Sequence, residues 1–105
     1  MWELDITSTR NRGVPVLIVA GRLGSVAAPV LDEAIKGSLD DAASLVVDLA
    51  SVDYLSSRSL GALQRAAAQC ELKGGTLVLA GVTPAVRLAM DLGAPSPPIH
   101  DEPTI

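Results

Sequence analysis

Two short apolar runs constrain this chain most: "SLVVDLA" (Ser44 to Ala50) and "TLVLAGV" (Thr76 to Val82), each nearly continuous in valine and leucine. A run without polar alternation reads as a central strand covered on both sides. Between them lies "LGALQRAAAQCELKGG", where Leu60, Leu63, Ala67 and Cys70 recur at helical spacing. Arg65, Gln69 and Lys73 form the wet face of that helix, and Gly74-Gly75 stops it. Buried strand, helix, buried strand is the signature of a helical crossover in a layered α/β sheet.

The rest of the chain extends that unit. "WELDITS" alternates side to side and predicts a half-exposed strand from Trp2 to Thr7. "NRG" (Asn11 to Gly13) is a turn, and "VPVLIVAG" (Val14 to Gly21) a second, more buried strand paired antiparallel with the first. Pro15 lacks an N–H, so it belongs at the strand's start or at an unpaired edge position. In "SVAAPVLDEAIKGSLD" a helical face runs through Val30, Leu31, Ala34, Ile35 and Leu39, with Pro29 in the first turn. Thr83 caps a further helix begun by Pro84 and ended at Gly93. "APSPPIHDEPTI" has no helical period; Pro95 to Pro98 reads as a loop and Ile99-His100 as a last short strand. The order β-β-α-β-α-β-α(-β) predicts one α/β domain, bordering on α+β, over residues 1–105. Its mixed sheet has four to five strands, and residues 95–105 form a loose, proline-rich end.

Composition narrows the function. With 49% apolar residues but no Phe, one Trp and one Tyr, the core must be aliphatic, and there is little aromatic surface for stacking bases or sugars. The net charge is −4 and the cations are scattered, which argues against nucleic acid as a partner. No apolar stretch approaches the roughly 20 residues that cross a bilayer, so no membrane insertion is expected. "MWELDITSTR" lacks a leader pattern, and a lone Cys70 makes no internal disulfide. A cytoplasmic protein is expected.

The candidate chemistry lies in "VDYLSSRSLGAL", Val52 to Leu63, where Ser56, Ser57 and Ser59 cluster at a strand-to-helix handover. One serine there is explained as a helix N-cap, worth about 1 kcal/mol. A second reading makes Ser57 a phosphorylation target, because a helix N-terminus favours a phosphate dianion. A nucleophilic serine is not supported: there is no G-x-S-x-G elbow or Ser-x-x-Lys, and the only histidine, His100, lies in the tail. No catalytic residue, metal site or cofactor is expected. Asp32-Glu33 and Asp40-Asp41 read as helix surface and helix end, and Cys70 as a buried, inert core residue. Asp48 reads as a structural residue at a strand end and Asp53 as a turn residue. Gly74-Gly75 follows a helix, the wrong context for a phosphate loop.

"LVVDLASVDYLSSRSLGAL" resembles the signature of STAS domains, the fold of bacterial anti-sigma factor antagonists. There a buried strand ends in Asp-Leu and a turn leads to aromatic-aliphatic-Asp-Ser-Ser-Gly-Leu-Gly. "GGTLVLAGVTPAVRLAMDLGA" is similar to the family's downstream segment, and "VLIVAGRLGSVAAPVLDEAI" more loosely to its second strand and first helix. The resemblance covers about Val14 to Ala94. It implies a non-enzymatic domain that docks onto an anti-sigma factor of the serine-kinase type. The kinase phosphorylates the serine after the family Asp and disables docking, and a phosphatase reverses this. Aligned on "YLSSRSLG", the acceptor is Ser57. The docking surface is then Ser56, Arg58 and Ser59 with the Leu23, Gly24 and Ser25 turn beside it. The family Asp before the acceptor is Ser56 here, the second Ser is Arg58 and the motif Gly is Ser59; the Asp of the earlier Gly-x-Leu-Asp turn is Gly24. Arg58 opposes the helix dipole yet suits a phosphate at Ser57. The family helix after the last strand has no counterpart, as in a shortened member or a piece of a longer protein. The alternative role is a non-phosphorylated scaffold or accessory domain, as STAS domains serve in stress-signalling, lipid-transport and anion-transporter complexes.

Overall fold

In the computed structural model of the chain, which describes residues 4–84, 86–88 and 100–102, the first two strands form a hairpin. Strand β1 (Leu4–Asn11) pairs antiparallel with β2 (Val14–Leu23), closing at the Asn11/Val14 pair. The two residues between them, Arg12 and Gly13, have φ of 55° and 82°. Paired positive φ values match the right-handed twist of the flanking strands, so a two-residue hairpin demands them. Arg12 bears the strain and Gly13 adopts its angle freely. Both strands run beyond the predicted ends, and Trp2 lies outside the described residues. Pro15 is the second residue of β2 and faces Arg10. Bonded pairs alternate from Asn11/Val14, so the Pro15 nitrogen points away from β1. Pairing on that other side begins only at Val16, and no ladder donor is missed.

Beyond a 3-10 turn (Ser25–Ala27), helix α1 (Ala28–Ser38) starts with Pro29 in its first turn. Leu31, Ile35 and Leu39 are buried as the spacing requires, but Val30 is 52% exposed. The predicted stripe was one residue too wide, because Val30 sits about 100° around the helix from Leu31. Strand β3 (Leu45–Leu55), helix α2 (Ser57–Leu72), β4 (Leu77–Ala80), helical residues 84 and 86–88, and β5 (His100–Glu102) complete the chain. The sheet order is β1-β2-β3-β4-β5, antiparallel at the β1 edge and parallel elsewhere. Thr83 caps the last helix as expected: its Oγ1 accepts from Val86 N at 3.3 Å and donates to Val52 O at 3.2 Å. The predicted loop Pro95 to Pro98 and the stop at Gly93 lie outside the described residues. His100 opens β5, which carries the expected last strand to Glu102.

The core unites Leu17 and Val19 of β2, Leu45, Val47 and Leu49 of β3, and Leu77 and Leu79 of β4 with the inner faces of α1 and α2. Those strand residues alternate, so they share one face of the sheet. Val46 and Val78 project from the other face and are only half-buried, and Ile18 on β2 is exposed. Among the described residues burial of that second face is therefore partial, with Val16 and Ala80 buried there, while α1 and α2 pack on the first face. On α2 the buried stripe is wider than predicted, adding Ser59, Ala62 and Ala66. Small side chains let the helix lie close to an aliphatic sheet.

Helix α2 ends in a Schellman turn. Gly74 N donates to Glu71 O at 3.0 Å and Gly75 N to Cys70 O at 2.8 Å, with Gly74 at φ 83°. Gly75 is required for another reason: a Cβ there would collide with the Ala43 carbonyl and sit 2.6 Å from Ser44 Oγ. That contact brings β4 in beside β3, where Thr76 N donates to Ser44 Oγ at 3.0 Å.

Candidate functional site

The length of β3 builds the site. The predicted strand ends at Ala50, but β3 continues through "SVDYL" to Leu55. The continuation requires two bulges. Ile18 faces Asp48 and Ala20 faces Ser51, so β3 advances three residues while β2 advances two. Gly21 faces Val52 and Arg22 faces Tyr54, which repeats the mismatch around Asp53. Bulges bend and twist a strand while keeping it paired. Asp48 therefore lies within the strand, not at its end; its Oδ1 accepts from Ala50 N at 2.9 Å, satisfying an amide at the first bulge. Asp53 is an exposed strand residue instead of a turn residue.

The bent strand delivers Leu55 opposite Leu23, both buried, and Ser56 N donates to Leu23 O at 2.8 Å. Ser56 then leaves the strand with φ −80° and ψ 163°, an extended conformation suited to an N-cap. Its Oγ accepts from Ser59 N at 3.2 Å, and its own carbonyl accepts the first helical bond from Leu60 N at 2.9 Å. Ser59 is fully buried, and its Oγ donates to Gly24 O at 3.1 Å. So Ser56 caps the helix and Ser59 ties it to the β2 turn. Ser57, the first helical residue, is left exposed beside Arg58. The three serines thus stand in three different settings: a cap, a tether and an exposed hydroxyl.

The Leu23-Gly24-Ser25 turn thus adjoins the start of α2, at the carboxyl ends of the parallel strands, where open α/β sheets commonly place their sites. Gly24 has an ordinary extended backbone (φ −74°, ψ 178°), and a Cβ there would meet nothing within 4 Å. Its position tolerates a side chain. Leu23 anchors the turn in the core, and Ser25 is exposed.

Other residues at this end are not evident from the motif. Val26 is 91% exposed at the tip of the 3-10 turn. Arg22 lies over the Tyr54 ring at 4.8 Å, a cross-strand cation–π pair on β2 and β3. Ser57 and Arg58 open onto a shallow cavity of about 370 Å³ between α1 and α2, also lined by Pro29, Asp32, Gly61 and Arg65. Arg65 holds Asp32 across it with an Nη2–Oδ2 distance of 2.9 Å. Helical spacing carries a signal here, since Ser57, Gly61 and Arg65 stand four apart on one face of α2. That Asp32 would face them requires the packing of α1.

Cys70 is buried far along α2, and burial pushes its thiol up from the ordinary range, with the Lys73 charge opposing. Among the described residues no cluster of His, Cys, Asp and Glu is arranged to hold a metal ion, and no helix is long and apolar enough to cross a membrane. The chemistry offered is that of a surface: an exposed hydroxyl on a helix N-terminus, flanking guanidiniums and one apolar tip.

The family model described as "Mlab, STAS domain" matches residues 6–93. A solved anti-sigma factor antagonist from Mycobacterium paratuberculosis is 32% identical, with a TM-score of 0.72 over 85% of this chain and 76% of that one. An antisigma-factor antagonist STAS domain from Rhodobacter sphaeroides is 19% identical, with a TM-score of 0.60 over 78% and 94%. The Bacillus cell fate determinant SpoIIAA in its phosphorylated form is 16% identical, with a TM-score of 0.68 over 92% and 90%. No curated protein sequence matches the chain.

Proposed function

The chain belongs to the STAS domain family, and from that membership we propose that it is a non-enzymatic anti-sigma factor antagonist whose docking surface is the start of α2 with the adjoining β2 turn. The observation that carries the reading is the division of labour among the serines. Ser56 and Ser59 spend their hydroxyls on the cap and on Gly24, which fixes the turn against the helix, while Ser57 is presented outward. The Mycobacterium relative, called an anti-sigma factor antagonist, supports the role. A rigid, preformed surface is what docking requires, because little has to be ordered on binding.

The partner in this reading is an anti-sigma factor of the serine-kinase type in the cytoplasm, and Ser57 is its phosphorylation site. A phosphate at the first position of a helix meets unpaired N–H groups and the positive end of the dipole, so the modification costs the fold little. It would add nearly two negative charges at the centre of the docking surface and so release the partner. A phosphatase would restore docking.

The test is titration calorimetry of the chain against the host's anti-sigma factor kinases, with nucleotide, followed by mass mapping of any phosphate. Tight binding abolished by a phosphate on Ser57, and a Ser57→Ala chain that binds but is never modified, are the expected results. Binding by none of these kinases would overturn the role. Stable binding with Ser57 unmodified under all conditions would favour the scaffold reading. One observation speaks for that rival: Ser56 supplies the cap without the carboxylate of the family motif, leaving Arg58 unneutralised beside the acceptor.

A further inference from the structure

We infer that a phosphoryl group on Ser57 is bound by the chain itself, in the groove between α1 and α2, where it takes the Arg65 guanidinium from Asp32 with Arg58 as the second cation. The inference rests on the phosphorylation reading above and concerns what the modified chain does next.

The geometry starts at Gly61. Side chains on a helix lean toward its N-terminus. Arg65 does so, and its Nη1 would lie 3.4 Å from a Cβ built on Gly61. The guanidinium therefore rests over the residue one turn from Ser57. Side chains four apart start about 6 Å from each other, and Gly61 puts nothing between them. A phosphorylated serine extends far enough from its Cβ to reach the near side of that guanidinium after a modest rotamer change. Both residues line the same cavity, whose other charged members are Arg58 and Asp32.

The exchange follows from charge. In the unmodified chain Arg65 is shared with one carboxylate, and both side chains of the pair are largely wet, at 60% and 44% exposure. Such pairs are weak. A phosphate carries nearly twice the charge and can be gripped by two parallel N–H bonds. The phosphoryl group comes from a nucleoside triphosphate. The Ser57 Oγ–P bond forms, the bond from that phosphorus to the departing nucleoside diphosphate breaks, and the hydroxyl proton passes to a base on the kinase. Afterwards two guanidiniums face one phosphate and a released Asp32. The lining turns from net positive to net negative, and the change spreads from the tip of α2 onto α1. A partner that rests on α1 would be repelled as well as one that touches Ser57.

The experiment uses the full chain with phosphoserine installed at position 57 by genetic code expansion. Phosphorus NMR then follows the second ionisation of the phosphate. Arg65→Gln should raise its midpoint by about 0.5, a threefold gain in proton affinity, because a neighbouring cation favours the dianion. Asp32→Asn should lower it, since the competing carboxylate is gone. Opposite signs from two variants on two helices are not expected of a merely structural effect. A midpoint that neither variant moves, or one moved by Arg58→Gln alone, would overturn the inference. The phosphate is installed independently of any kinase. A silent midpoint therefore refutes the clamp and leaves the switch standing, whereas a host protein found unmodified refutes the switch and leaves the clamp measured.

Discussion

Replacing Ser56 by Ala separates the cap from the presented hydroxyl. The Ser56 Oγ is the acceptor for Ser59 N at 3.2 Å, and the two residues are 6% and 0% exposed. Water cannot stand in for the lost oxygen, so a buried amide is left unpaired. Cap removal costs about 0.5 to 2 kcal/mol, and the buried setting places this one at about 1.5 kcal/mol. For a domain of this size that lowers the melting temperature by about 6 to 12 °C. Urea unfolding followed by far-UV circular dichroism measures it, with an unchanged slope confirming an effect on stability. Ser57→Ala, at an exposed first position, should stay within about 0.5 kcal/mol of the parent. Ser59→Ala, which loses the bond to Gly24 O, should cost about 1 kcal/mol. Ser56→Asp keeps a capping oxygen and adds a charge of the sign the dipole favours, so it should retain most of the cap. A neutral Ser56→Ala beside a costly Ser57→Ala would refute the reasoning, because the cap would then be Ser57 and the outward hydroxyl would not exist.

Gly74→Ala and Gly75→Ala should destabilise for different reasons: about 1 kcal/mol for the left-handed backbone at Gly74, and about 3 kcal/mol or more for the collision with Ala43 at Gly75, both read by the same urea titration. Gly74→Asn should recover part of the first loss. Cys70 should react with a thiol reagent only at the rate of unfolding. Its raised pKa means that above the ordinary value of 9.0 the unfolded chain loses the thiol proton while the folded chain keeps it. Cys70→Ala should therefore flatten the fall of stability with rising pH in that alkaline window. Asp41→Asn removes the exposed pair with Arg10, 3.3 Å apart, and should change stability by less than about 1 kcal/mol at any salt concentration.

Strands, helices and their order were legible because hydrophobic periodicity is a local property. The apolar run at 44–50, the stripe through Leu60, Leu63, Ala67 and Cys70, and the Thr83-Pro84 start occur where the spacing puts them, and the run at 76–82 forms a strand that stops at Ala80. The resemblance in "YLSSRSLG" was equally local, because a motif is a contiguous stretch, and the structure places it at the start of α2. Three readings failed where the relevant quantity was a relation between segments. Val30 satisfies a helical period, but only the orientation of α1 on the sheet decides that it faces solvent. The strand was read as ending at Ala50 with Asp53 in a turn, yet pairing with β2 holds "SVDYL" extended. Continuous apolar runs suggested burial on both faces, whereas among the described residues Val46 and Val78 on the second face stay half-buried.

By itself, then, the sequence determined which segments are strands or helices, that they form one mixed sheet with helical crossovers, and that a serine cluster, Ser56 to Ser59, stands at the start of α2. Period, cap chemistry and a contiguous motif each need only neighbouring residues. The tertiary structure alone decided which serine does what. Ser59 became a tether because Gly24, thirty-five residues earlier, offers it a carbonyl. Ser56 lies where it caps because two bulges, defined only against the register of β2, end β3 beside Leu23. Arg65 lines one groove with Ser57, and packing sets Asp32 of α1 across from it. A bulge, a tether and a cross-helix ion pair are each a match between distant parts of the chain, and such a match exists only once the chain has folded.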